Sequence, residues 1–298
     1  MSAVATPPSP LRAWLMAIRI PTLPAAVVPV LVGSAIAYKL GSFQPLVFLA
    51  ALIASICIQI GTNLANDYFD AKKGADTAER LGPTRVTHTG LIAAETVRNA
   101  MLLSFLVAAL CGVYLIVVGG WPILVIGLFS IASGIMYTGG PFPLGYNGLG
   151  DLFTFVFFGL IAVIGTTYVH TGSFSNLALF AALPVGMLVT AIIVVNNVRD
   201  VHTDRKANKR TLAVLLGERF ARSEYVVLVV GAYVVLLIGW LLQLVSAWIF
   251  LPLLTIPLAI PLIKAMWTQS GRVLNPILGG TGRLHMFFGV LLTIALVL

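Results

Sequence analysis

The sequence predicts an all-α, polytopic membrane protein: nine transmembrane helices in one bundle with two pseudo-repeated halves, N-terminus in and C-terminus out. Three observations carry that prediction. Of 298 residues, 59% are hydrophobic and only 9% charged, and the mean hydropathy of +1.02 lies far outside the range of a soluble globular domain. Uncharged stretches near the ~20 residues that cross a bilayer as a helix recur along the whole chain. The few charges gather in alternate inter-span segments.

The elements follow in order. Residues 10–20, with Arg12, Trp14 and Arg19, suit a short helix lying in the membrane interface. Pro21, Pro24 and Pro29 break the first apolar run and no small-residue cleavage site follows it, so this is not a signal peptide. The spans fall at 22–40, 45–65, 99–118, 121–137, 152–170, 176–195, 225–243, 247–263 and 284–298. Cys57 and Cys111 lie inside apolar runs and read as packing residues. Residues 1–298 are expected to form a single domain.

With the first span running outward, the cytoplasmic segments are 1–21, 66–98, 138–151, 196–224 and 264–283. They hold every Lys and Arg except Lys39, a positive-inside pattern that places the protein in a cell (inner) membrane with its polar loops facing the cytoplasm. The net charge of +8 is thus a topology signal. The bases alternate with acids in short loops and form no soluble basic face, so nucleic acid is not an expected partner.

All ten acids share that side, and two clusters among them are alike. "NLANDYFDAKKGAD" (63–76) closes the second span, and "NNVRDVHTDRKANKRTLA" (196–213) closes the sixth, four spans later. Each has asparagines at the helix end, then spaced aspartates, then a Lys/Arg loop carrying a Thr. The likeness implies two four-helix halves with a ninth helix appended, an arrangement whose site lies between the halves.

Spacing shows what the clusters can do. On a continuing helix Asn63, Asp67 and Asp70 share one face, with Asn66 beside them, and Asn196, Asp200 and Asp204 share another. Two such faces turned toward each other make a nest of carboxylates that needs cations, and the all-oxygen donor set favours Mg2+. Mg2+ prefers few carboxylates plus substrate phosphates, so a diphosphate completes the site, met by Lys72, Lys73, Arg85, Lys206, Lys209 and Arg210. A single aspartate in such a place is more often a solvated loop charge; two matched clusters reverse those odds. His88, His170, His202 and His285 lack ligand spacing.

"NDYFD" with its upstream Asn63, together with DxxxD as Asp200 to Asp204, resembles the two aspartate-rich motifs of the UbiA-type intramembrane prenyltransferases, over essentially the whole chain. The resemblance implies Mg2+ held by Asp67, Asp70, Asp200 and Asp204, a polyprenyl diphosphate whose tail lies among the helices, and transfer of the prenyl group to an aromatic acceptor. "NDYFDAKKGADTAERLGPTRVTHTGLI", "YTGGPFPLGYNGLGDLFTFVFFGLIAVIGTTYV" and "NNVRDVHTDRKANKRTLAVLLGERFAR" are similar to the branch that prenylates 1,4-dihydroxy-2-naphthoate in menaquinone synthesis, with loss of CO2 and diphosphate. The 4-hydroxybenzoate and haem O branches usually carry a Lys-Arg pair after the fourth span, where residues 138–150 have no base. The motif departs from the family at Gly74, where a third Asp is expected and Asp76 follows two positions later. It departs again at Asn208, which replaces a Gly and can still take a left-handed conformation.

Asn63, Asn66, Lys73, Asn196, Asn197, Lys206, Lys209 and Arg210 are the expected substrate-binding residues, with Arg85 expected at the chemistry. Tyr68, Met136, Tyr137 and Phe153 are candidates to face an allylic cation. Arg85, Tyr146 and Asn147 are candidates for the acceptor. Asp151 suits a hydroxyl contact or, equally, a helix N-terminus. A cation-coupled transporter is the alternative class, but it would need ionisable groups near the midplane of its spans.

Overall fold

Prolines open several of the helices and apolar runs carry them. The computed structural model describes residues 8–74 and 81–298. Helix α1 (Pro10–Ile18) begins at Ser9, whose hydroxyl accepts from the Arg12 amide at 3.4 Å, with Pro10 at the first helical position. It buries Ala13 and Ala17 and exposes Leu11 and Leu15, as an interfacial helix would. The chain turns at Arg19, in the left-handed region at φ 58, and enters α2 (Pro24–Lys39) at a bend of 49°.

There follow α3 (Pro45–Lys72), α4 (Ala94–Gly119), α5 (Trp121–Met136), α6 (Gly150–Thr171), α7 (Asn176–Lys206), α8 (Glu218–Leu241), α9 (Ala247–Thr268) and α10 (Gly271–Val297). Seven of these, α3, α4 and α6 to α10, are long and apolar enough to cross a membrane. The bent α1–α2 pair would add one more, and α5 is a shorter apolar helix. The chain is therefore an all-helical, multi-pass membrane protein, with no strand among the described residues.

Two helices outrun their apolar sequence. α3 continues to Lys72 and α7 to Lys206, so both acidic clusters are helical, the condition on which their shared faces depend. The last helix differs from expectation at its start. It was expected from residue 284 because Arg283 looked like a boundary, yet the helical region begins at Gly271. Arg283 is an exposed residue on its side; one cation on an outer face does not stop a helix whose backbone bonds are all made.

α7 is the central helix. Leu188 and Val195 of α7 meet Val28, Val32 and Ile36 of α2, Leu236 of α8, and Phe288 and Leu292 of α10 in one buried cluster. Small residues let backbones approach, as expected in a membrane bundle. A Cβ on Gly159 of α6 would lie 2.4 Å from the Cα of Gly186 of α7. Around that contact α6 widens into a π-helical segment, Phe155–Ile161, a feature often found at functional sites. Asp76 and Glu79 lie outside the described residues.

Candidate active site

A cavity of about 1230 Å3 opens between the two acidic clusters and runs down among the helices. Its deep walls are apolar, with Gly112 and Ile116 from α4, Ile123 and Gly127 from α5, and Phe157 and Ile161 from α6. Its polar end is lined by Asn63, Asn66, Asp70, Lys73, Arg85, Tyr137, Asn196, Asp200, Asp204, Lys206 and Lys209. Most of the residues expected from spacing are thus brought to one place. Asp67, Asn197, Arg210 and Asp151 are not in the lining.

The first cluster is tied together by the loops around it. Both oxygens of Asp70 are engaged: Oδ2 receives Arg85 Nη2 at 2.7 Å and Oδ1 receives the Tyr146 hydroxyl at 2.9 Å. Lys73 donates to the Thr138 carbonyl at 2.5 Å and stands 5.0 Å from the Tyr146 ring centre. Thr138 in turn donates to Asn66 at 2.9 Å. Lys209 approaches the same Tyr146 ring at 5.7 Å and Asp204 Oδ1 at 3.5 Å. One aromatic ring therefore stands between the lysines of both clusters.

Asp67 also engages the loop that follows. It is 2% exposed, and its oxygens accept the backbone N–H groups of Val86 at 3.2 Å and Thr87 at 3.0 Å. It anchors the loop that carries Arg85, although its helical spacing is that of a metal-facing residue. Replacing it by Asn sets an NH2 group against one of these donors, and a hydrogen bond to a charged group is worth about 1.5–3 kcal/mol. Asp67→Asn is expected to make residues 81–93 the first site of limited proteolysis in detergent, where the unaltered protein resists.

In the second cluster the organising residue is one that spacing did not single out. Arg199, 1% exposed, reaches both oxygens of Asp200, with Nε at 2.8 Å and Nη2 at 2.5 Å. The same guanidinium donates to Asn196 Oδ1 at 2.5 Å and to Asn275 Oδ1 at 2.9 Å, and Asn275 donates to the Leu81 carbonyl at 2.9 Å. α7, the start of α10 and the loop after α3 thus share one fork. The available signal was an arginine immediately before a candidate metal aspartate, which as a neighbour in sequence reads as a loop charge.

The other expected residues have local work. Asn197 donates to both oxygens of Asp151, at 3.2 and 3.3 Å, which ties the first turn of α6 to α7. Arg210 is exposed, and its amide donates to the Tyr146 carbonyl at 2.9 Å. Asn208 takes the left-handed conformation, φ 54, as expected of a residue standing for glycine. Asn147 donates to the Pro143 carbonyl at 2.8 Å. Tyr137, just past α5, lines the cavity.

The donor set fits a hard cation. Asp204 Oδ2 is buried in the wall with no hydrogen-bond partner, an acceptor that a metal would satisfy. Asp70 and Asp200 keep lone pairs beyond those used by Arg85, Tyr146 and Arg199. Among the described residues no three acids, histidines or cysteines are gathered into a self-sufficient metal site. Mg2+ ions bound at this end would each take one or two of the carboxylates and complete their shells with phosphate and water.

Comparison with known proteins matches this architecture. Over 227 residues the chain is 39% identical to the 1,4-dihydroxy-2-naphthoate octaprenyltransferase of Escherichia coli K12, covering 74% of each chain. Its fold is that of a UbiA homolog from Aeropyrum pernix K1, with TM-score 0.73 and 14% identity over 91% of this chain and 97% of that one. It is also that of a UbiA homolog from Archaeoglobus fulgidus bound to GPP and Mg2+, with TM-score 0.60 and 13% identity over 96% and 99%. The description "UbiA prenyltransferase family" matches residues 26–275, and with both motif helices inside that range the chain belongs to this family.

Proposed function

We propose that the protein transfers a polyprenyl group from polyprenyl diphosphate to 1,4-dihydroxy-2-naphthoate, with loss of CO2 and diphosphate, to give the demethylmenaquinol of menaquinone biosynthesis. The observation that carries this reading is the single cavity with acids and lysines of both motifs at one end and apolar walls below. The name of the Escherichia coli relative supports the choice of acceptor. The UbiA homolog bound to Mg2+ supports the metal. We further propose nine spans, N-in and C-out, in a cytoplasmic (inner) membrane, with the polar end of the cavity facing the cytoplasm and the whole chain acting as one domain.

Asp70, Asp200 and Asp204 would hold Mg2+, which when bound offsets the charge gathering on a departing diphosphate. Asp67 serves the same site by fixing the loop of Arg85. Lys73, Lys206, Lys209 and Arg85 surround the phosphate oxygens, with Asn63, Asn66 and Asn196 in the same wall. Lys73 and Lys209 are both steered by the face of Tyr146. Below them the apolar walls keep water from an allylic cation, and Tyr137 presents a ring toward it.

The acceptor ring attacks through the carbon that bears its carboxylate. A carbon–carbon bond forms to the prenyl group, the bond to the carboxyl carbon breaks, and the electron pair left behind restores aromaticity as CO2 departs. No side chain has to remove a ring proton. That accords with Asp151, the acid once suited to a hydroxyl contact, standing outside the cavity lining and accepting from Asn197. With carboxyl-labelled acceptor and purified protein, one labelled CO2 is expected for each prenylated product. Product that keeps the label would refute the decarboxylative step and point to a 4-hydroxybenzoate-like acceptor.

A further inference from the structure

The polar wall of the cavity extends deeper than the carboxylates. On α3, well before Asp70, Gln59 lines the same cavity at 6% exposure, and its Oε1 has no hydrogen-bond partner. The orientation of this amide follows from its neighbours. The Thr22 hydroxyl donates its one proton to the Arg19 carbonyl at 2.9 Å. It then accepts from Asn63 Nδ2 at 2.9 Å and from Gln59 Nε2 at 3.1 Å. A flipped Gln59 would set its oxygen against an oxygen with no proton left to give. Nearby donors are spent: Asn63 Nδ2 also donates to the Ile18 carbonyl, and the Ser55 hydroxyl to the Ala26 carbonyl, each at 2.9 Å.

A buried carbonyl oxygen in the cavity wall that none of these neighbours satisfies calls for a donor brought by a ligand. Of the two substrates only one can bring it. The prenyl chain carries no polar hydrogen, and the diphosphate is an acceptor met by the lysines at the polar end. An aromatic diol carries hydroxyl groups. Helix rise separates residues 59 and 70 by about 16 Å, room for a diphosphate, the first isoprene carbon and a two-ring acceptor in line.

We propose that Gln59 accepts a hydrogen bond from a phenolic hydroxyl of the aromatic acceptor, and that Thr22, Gln59 and Asn63 form the shelf on which that substrate is oriented. The inference rests on the reading of the protein as an aromatic prenyltransferase. Thr22 holds the amide, Asn63 holds Thr22, and Gln59 touches the substrate. The bond fixes the rotation of the ring and leaves electron density on the hydroxyl oxygen, which favours attack by the ring.

The test is steady-state kinetics on detergent-purified protein with 1,4-dihydroxy-2-naphthoate and each of its two monomethyl ethers. Gln59→Met should raise KM for the diol about tenfold and leave KM for polyprenyl diphosphate unchanged. For one of the two ethers the difference between the unaltered protein and Gln59→Met should vanish, because the hydroxyl that Gln59 reads is gone. If Gln59→Met does not elute as folded protein, Gln59→Ala, which removes the amide without adding length, gives the same comparison. An acceptor KM within twofold of the original, a parallel rise in both KM values, or a difference that persists with both ethers overturns the proposal. Failure of the unaltered protein to prenylate the diol at all would instead overturn the functional reading on which it rests.

Discussion

Asp204→Asn is expected to lower turnover by on the order of a hundredfold or more while the protein still elutes as a folded species in detergent. Asp204 Oδ2 is the buried acceptor in the cavity wall that no side chain satisfies. The substitution removes the charge and turns either one oxygen or an NH2 group toward the ligand. The scale is that of losing a charged group that stabilises a leaving anion in a water-poor site. The measurement is diphosphate released from a polyprenyl diphosphate as Mg2+ is titrated. The Mg2+ concentration for half-maximal rate should rise along with the fall in rate. Asp70→Asn should match it in size and also remove the charge paired with Arg85 at 2.7 Å. Near-normal turnover in Asp204→Asn would remove the carboxylate clamp from the mechanism.

Arg199→Leu should have the largest effect on stability. It strips donors from Asp200, Asn196 and Asn275 together, and breaking a buried charged pair from one side costs about 3–5 kcal/mol. The expected signs are a lower thermal unfolding midpoint in detergent and loss of activity. Arg199→Lys should recover part of the stability and little of the turnover, since one ammonium can pair with Asp200 but cannot reach three acceptors as a planar fork does. Gly82→Ala offers a milder version from the other side. Its new Cβ would lie 2.6 Å from Arg199 Nη2, so the loop or the guanidinium must move. If Arg199→Lys kept full activity with lowered stability, the fork would be structural only.

The bundle and most of its polar end were legible because both rest on periodicity. A spacing of three and four residues puts Asn63 and Asp70, or Asn196, Asp200 and Asp204, on one helical face whatever surrounds them. What periodicity cannot see is how the intervening loops return. Asp67 has the spacing of a metal-facing residue, and only the path of residues 86 and 87 over it shows that its oxygens hold backbone amides. Arg199 was hidden by being adjacent to Asp200, where a long side chain folds back in a way sequence distance does not suggest. Gln59 carried a weak signal, an amide well inside an apolar span, but its meaning depended on which proton Thr22 had already given away. The start of α10 was misplaced because charge marks the membrane boundary and not the end of a helix.

The two walls of the cavity differ in their freedom to vary. Behind one wall the backbones of α6 and α7 meet at Gly159 and Gly186, where a methyl group on Gly159 would stand 2.4 Å from the Gly186 Cα and drive the helices apart. On the other, Gly112 and Gly127 line the cavity from α4 and α5, and a Cβ built on either meets nothing within 4 Å. The bore in which an isoprenoid tail would lie can therefore be narrowed at Gly112 and Gly127 by ordinary point substitution, whereas the spacing of α6 and α7 behind it is set by the contact at Gly159.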